Sequence, residues 1–74
     1  MARIKTIGWL KDKLGFEEKE FKLEKPVRLE DFLPILKSIS EQHVIVIVNG
    51  KPATKNSLIR NNDEVVLMPM TSGG

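Results

Sequence analysis

The residues with the clearest chemical potential are the last ones. The sequence closes on Thr71-Ser72-Gly73-Gly74. Glycine lacks a Cβ, so a backbone made of it can approach another protein or a nucleotide closely and enter a narrow channel. It also leaves a terminal carbonyl unhindered toward a nucleophile. A carboxylate is itself a poor acyl donor. It must first be activated, most simply as an acyl-adenylate made from ATP. The plain alternative is an unstructured end or an expression scar with no chemistry of its own.

The other candidates are weaker. Cysteine is absent, which excludes thiol nucleophiles, disulfide scaffolds and zinc fingers. The single His43 has no second histidine or cysteine to build a metal shell, so no metal site is expected. Serines and threonines are scattered with no nucleophile motif. Asn49-Gly50-Lys51 lacks the second glycine and the Lys-Ser/Thr ending of a phosphate loop. It reads as a hairpin turn, because both of its first residues tolerate positive φ. Glu17-Glu18 and Glu30-Asp31 read as a solvated strand edge and a helix start, not as a catalytic carboxylate pair.

Charge narrows the partners. Twelve basic and ten acidic residues give a net charge of +2, and the two signs are interleaved, as in Lys22-Leu23-Glu24-Lys25. That pattern lacks the basic face of a nucleic-acid binder. The aromatic residues are Trp9, Phe16, Phe21 and Phe32. Phe21 and Phe32 are expected inside, which leaves few platforms for stacking bases.

The elements that must carry the tail can be read in order. Seventy-four residues suffice for one small domain. Alternation over about residues 2–8 predicts a first strand that ends at Gly8. Leu10 and Leu14 share a face of a short helical turn, and Gly15 is placed to close it in a left-handed conformation. A second strand follows at about 17–24, antiparallel to the first, with Lys19, Phe21 and Leu23 on one side. Leu29, Phe32, Leu33, Leu36 and Ile39 recur at helical spacing over about 29–39. Pro34 conflicts with a regular helix there: either the helix starts near Asp31 or it kinks at Pro34.

The run Val44-Ile45-Val46-Ile47-Val48 predicts a central strand. Residues 56–59 read as irregular or one short turn. A last strand follows over Glu64–Met70, with Val65 and Leu67 on one side and Val66 and Met68 on the other. The two halves must be joined by a helical crossover, so a parallel pairing is expected in the middle of a mixed sheet. This is an α+β fold, a mixed four- to five-stranded sheet with one main helix packed on one face.

The whole chain resembles the MoaD/ThiS group of ubiquitin-like sulfur carriers. The resemblance rests on the order of elements, the apolar turn closed by Gly15, Val48-Asn49-Gly50, the acidic turn Asn62-Asp63-Glu64-Val65 and, above all, the ending Leu67-Met68-Pro69-Met70-Thr71-Ser72-Gly73-Gly74. Pro69 and the Thr-Ser-Gly-Gly ending look more like the molybdopterin synthase small subunit than the thiamine carrier. Two departures stand out. Met68 and Pro69-Met70 replace the aromatics and Pro-Pro pair often found before the tail, and Arg28 replaces the usual small polar helix cap.

The resemblance implies a β-grasp domain over residues 1–70 and a flexible tail over 71–74. It implies a carrier rather than an enzyme. Gly74 would be adenylated by an E1-like enzyme that uses ATP, then converted by a sulfur donor to a thiocarboxylate. Gly73 would give clearance, with Ser72 and Thr71 as the extended approach. The sulfur would go to a molybdopterin precursor, a thiazole precursor or transfer RNA, the first favoured by the likeness to the molybdopterin synthase small subunit, with a larger synthase subunit as a further partner. A related outcome is conjugation of Gly74 to target lysines, as in archaeal small modifier proteins. No bound cofactor is implied.

The partner surface follows from parity. Ile4, Val65 and Leu67 should point inward, which puts Ile7 and Met68 on the face away from the helix, joined by Ile47. With Pro69 and Met70 they make an apolar docking patch beside the tail. The bland reading is isolated surface apolars, and a binding module with an inert tail is the rival function. No apolar run reaches the ~18 residues of a membrane span. Met1-Ala2-Arg3-Ile4 carries charge where a signal peptide is apolar, so a cytoplasmic chain is expected; by itself it is expected to be a monomer.

Overall fold

The computed structural model describes residues 1–70; the expected tail, Thr71 to Gly74, lies outside the described residues. Strand β1 (Ala2–Thr6) alternates buried and exposed residues, with Ala2, Ile4 and Thr6 facing in. Helix α1 (Trp9–Leu14) buries Leu10 and closes on Gly15, which is left-handed at φ 85° and donates its N–H to Lys11 O at 2.8 Å. Strand β2 (Glu18–Phe21) runs antiparallel to β1, with Phe21 opposite Ala2. It is shorter than the expected 17–24.

A two-residue strand β3 (Val27–Arg28) leads into helix α2 (Leu29–Phe32) and then a 3-10 helix, Pro34–Ser38. The helical segment is therefore broken at Leu33. Pro34 begins the second piece, where its missing N–H costs nothing. Neither expected outcome is met in full: the helix starts at Leu29 rather than near Asp31, and in place of a kink at Pro34 it ends at Phe32 and a 3-10 helix begins at Pro34. The 3-10 piece keeps Leu36 and Ile39 in the core with Leu29, so the helical spacing still buries one face. Arg28 makes no side-chain cap. Two of the first helical N–H groups go instead to backbone carbonyls of a later loop, Leu29 N to Ser57 O at 3.0 Å and Glu30 N to Lys55 O at 2.8 Å.

Strand β4 (Val44–Val48) turns through Asn49 and Gly50, at φ 53° and 79°, into β5 (Lys51–Ala53). Positive φ at both loop residues matches the twist of the flanking strands. Strand β6 (Leu58–Ile59) pairs with β3, a small second sheet that the expected irregular stretch at 56–59 did not contain. Strand β7 (Glu64–Pro69) closes the fold.

The main sheet has the order β2-β1-β7-β4-β5. Strands β1 and β7 are parallel neighbours and the other pairs are antiparallel. The sheet is therefore mixed, with its parallel pairing inside it. One face packs Ile4, Val44, Val46, Val65 and Leu67 against Leu10, Leu29, Leu36, Ile39 and Ile59. Ile4, Val65 and Leu67 point inward as parity required. Among the described residues, no helix is long and apolar enough to cross a membrane.

Candidate functional site

The site is built on β7, because that strand leads to the tail. It lies between β1 and β4, bonded on both sides. Its end is held in three ways. Ile7, one residue beyond β1, donates its N–H to Leu67 O at 2.9 Å. Met70 donates its N–H to His43 O at 3.0 Å, so the backbone of His43 anchors the chain at the last described residue. Gly8 packs directly on the Pro69 ring.

The start of β7 is fixed as firmly. Asn49 Nδ2 donates to Asp63 Oδ1 at 2.9 Å, and Asn49 Oδ1 accepts from Glu64 N at 2.9 Å. Asn49 N donates to Glu64 O at 2.8 Å. Asp63 Oδ2 in turn accepts from Arg60 N at 2.8 Å. The hairpin loop and the acidic turn, separate motifs in the sequence, form one hydrogen-bonded clasp.

Register places Ile47 and Met68 of the predicted patch on the outer face, but not Pro69, which shares the parity of the inward Val65 and Leu67 and stands opposite the buried Val44. Met68 stands opposite Ile45, and Ile47 stands opposite Val66 and next to Pro52. Met68 and Ile45 form the row nearer the end of β7, with Ile7 on the β1 side; Ile47 and Val66 form the row behind it. Ile7 and Met70 are exposed, at 42% and 46%. Met68, Pro69 and Ile47 are half-buried. Ile45 and Val66 were missed as members of the patch. Val66 shares parity with Met68 and was available from the sequence, whereas Ile45 becomes a neighbour only through the β4–β7 register.

The other half of the outer face is charged. Arg3 faces Glu20 across β1 and β2, with a 3.5 Å ion pair, and Lys5 faces Glu18. A shallow groove lined by Val44, Ile45, Pro52, Ala53, Lys55 and Met70 adjoins the chain exit on the β5 side. Trp9, 44% exposed, follows Gly8 on the opposite side of Pro69. Parity arguments did not reach Trp9, since it lies on α1. Among the described residues no cluster of acidic, histidine or cysteine side chains could hold a metal ion. Thr71, Ser72, Gly73 and Gly74 lie outside the described residues.

A mixed sheet in this order, with a broken helical crossover on one face and an apolar strip on the other, defines a ubiquitin-like β-grasp protein. The chain belongs to the ThiS family, whose model matches residues 4–74 and so extends through the diglycine. That family consists of small ubiquitin-like carrier proteins. Solved structures share the fold. SAMP1 from Haloferax volcanii matches with a TM-score of 0.72 and 23% identity, covering 99% of this chain and 98% of its own. A protein described as molybdopterin converting factor, subunit 1, from Pyrococcus furiosus matches with 0.68 and 19%, over 95% and 97%. Urm1 from Sulfolobus solfataricus matches with 0.64 and 19%, over 92% and 99%. No curated protein matches in sequence.

Proposed function

We propose that this chain is a sulfur carrier whose reactive group is the carboxylate of Gly74. An E1-like enzyme binds ATP, and a Gly74 carboxylate oxygen attacks the α-phosphorus. Pyrophosphate leaves and an acyl-adenylate forms. A sulfur nucleophile from a donor then attacks the acyl carbon, and AMP leaves with the C–O bond's electron pair. The product is a thiocarboxylate, whose sulfur passes to a molybdopterin precursor with the help of a larger synthase subunit. The chain supplies no catalytic group of its own and binds no cofactor.

The observation that carries the reading is the family match running through Gly73 and Gly74. The outer face supports it. Ile45, Ile47, Val66 and Met68 form a continuous apolar strip along the strand that leads to the tail. Four residues reach at most ~14 Å when fully extended. An enzyme that reacts with Gly74 must therefore touch the surface around Pro69 and Met70. Methionine adapts its shape and suits a surface that meets more than one partner. The Pro69 position and the Thr-Ser-Gly-Gly ending favour molybdopterin over thiamine as the sulfur's destination.

The test is ATP–pyrophosphate exchange by the adenylating fraction of the native cell, followed by intact mass of the chain. The expected result is exchange that depends on this chain and is lost on deletion of Gly74, with the fold intact by circular dichroism. A product heavier by the exchange of one oxygen for sulfur completes the assignment. Gly74 found in isopeptide linkage to lysines, with no thiocarboxylate, supports a protein modifier instead. A carboxylate that stays free, with no exchange, leaves a binding module with an inert tail.

A further inference from the structure

The carrier reading leaves Asn49 and Gly50 without a chemical role, yet this pair has chemistry of its own. In an Asn-Gly sequence the glycine nitrogen can attack the asparagine side-chain carbonyl carbon, since glycine has no Cβ to obstruct the approach. A bond forms between Gly50 N and Asn49 Cγ. The Cγ–Nδ2 bond breaks, and ammonia leaves carrying the proton released from the Gly50 N–H. Water then opens the cyclic imide at either carbonyl and gives aspartate or isoaspartate. Water is the only co-reactant, and the loop is exposed to it.

The fold opposes the first step. Both ends of the Asn49 side-chain amide are bonded away from Gly50, Nδ2 to Asp63 and Oδ1 to the Glu64 N–H, each at 2.9 Å. Cγ cannot turn toward the Gly50 nitrogen without breaking both bonds. Their partners sit on a segment 14 and 15 residues away in sequence. Protection therefore exists only when β4 and β7 are correctly paired.

We propose that Asn49–Gly50 is a modification site whose spontaneous deamidation is gated by opening of the Asn49–Asp63–Glu64 clasp. Conversion is one-way. The new carboxylate has no N–H for Asp63 and places an anion where Nδ2 stood, within hydrogen-bond distance of another anion. Isoaspartate also adds a backbone atom to a two-residue loop whose length sets the hairpin register. A molecule that has opened for long enough is thereby marked, and the clasp at the start of β7 cannot re-form as before.

The test is peptide mapping of the full chain, incubated at constant pH in native buffer and across a urea series. Asn49 deamidation is expected to be roughly tenfold slower or more in native buffer than in the unfolded chain, as for any group reached only by opening. It should already rise at urea concentrations below the global transition. Asp63→Ala should accelerate it in the folded state, while Asn56, which is followed by Ser57 and lies outside the clasp, serves as internal control. Equal rates in native and unfolded protein would overturn the proposal. So would a rate that follows only global unfolding, or an Asp63→Ala effect shared equally by Asn56. Where Asp63→Ala does not fold, the urea series on the unaltered protein decides alone.

Discussion

A Cβ placed on Gly8 would lie 2.9 Å from Cγ of Pro69, closer than such atoms approach in folded proteins. The residue that ends the β1 side of the sheet and the last residue of β7 are thus fitted to each other. Gly8 also adopts φ 66° and ψ −142°, a backbone region nearly restricted to glycine. Close approach and positive φ both demand glycine here, and together they fix where the chain leaves the sheet.

Gly8→Ala should therefore destabilise the domain by about 1–3 kcal/mol through backbone strain and the clash. Urea denaturation measures it. Pro69→Ala, which removes the ring that meets the new methyl, should recover part of the loss. A double-mutant cycle separates the contact from the backbone strain. Purely additive losses would show that the contact contributes nothing.

Met68→Glu should raise the KM for the chain in adenylate exchange and leave its thermal unfolding close to unchanged, because the residue is half-buried on the outer face. Ile45→Glu, opposite it, should do the same. The pair should be less than additive, as expected of neighbours in one interface. The single tryptophan, Trp9, reports on the same region through its emission on adding the enzyme. An unchanged KM in both variants would remove the docking strip.

Lys55 carries a structural load that its type does not suggest. Its Nζ donates to Leu36 O at 3.1 Å and to Ile39 O at 2.8 Å, satisfying carbonyls at the end of the 3-10 helix. Lys55→Met keeps the aliphatic stem and loses both bonds. The expected cost is about 1–2 kcal/mol by denaturant titration. Neutralising Lys37, whose ion pair with Asp31 is exposed, should cost less.

Among the described residues Thr6 is the buried polar one, and its hydroxyl donates to Phe16 O. Thr6→Val preserves the shape and leaves that carbonyl without the hydroxyl. A loss of about 1–3 kcal/mol is expected, with the β1–β2 connection the first segment to lose hydrogen-exchange protection.

The sheet was largely legible in the residues. The β-branched run at Val44–Val48, the Asn-Gly loop and the alternation in β1 and β7 are local signals of strong period, and each produced its element. The α+β class and a parallel pairing inside a mixed sheet followed from them, whereas the identity of that pair, β1 with β7, came only from the structure. What escaped was either too short to have a period or set by distant partners. Strands β3 and β6 have two residues each, and only their mutual pairing makes them strands. The helical segment kept its apolar spacing through Pro34 although the backbone changed type there. The clasp joined two motifs that each looked self-contained. Ile45 entered the outer strip because register, a long-range property, set it opposite Met68. The tail lies outside the described residues, and the sequence offers its residue types alone.

The strand order has a further consequence for how many copies of this chain a cell can hold. The two open borders of the main sheet are β2 and β5. Along β2 run Glu18, Lys19 and Glu20, all exposed, so a second chain laid against it would meet charge. Strand β5 is three residues long with Pro52 at its middle, and a proline nitrogen has no proton to offer a neighbour. Neither border can serve as a template for strand addition. The outer face can thus carry its apolar strip while the molecule resists stacking on itself into fibrils.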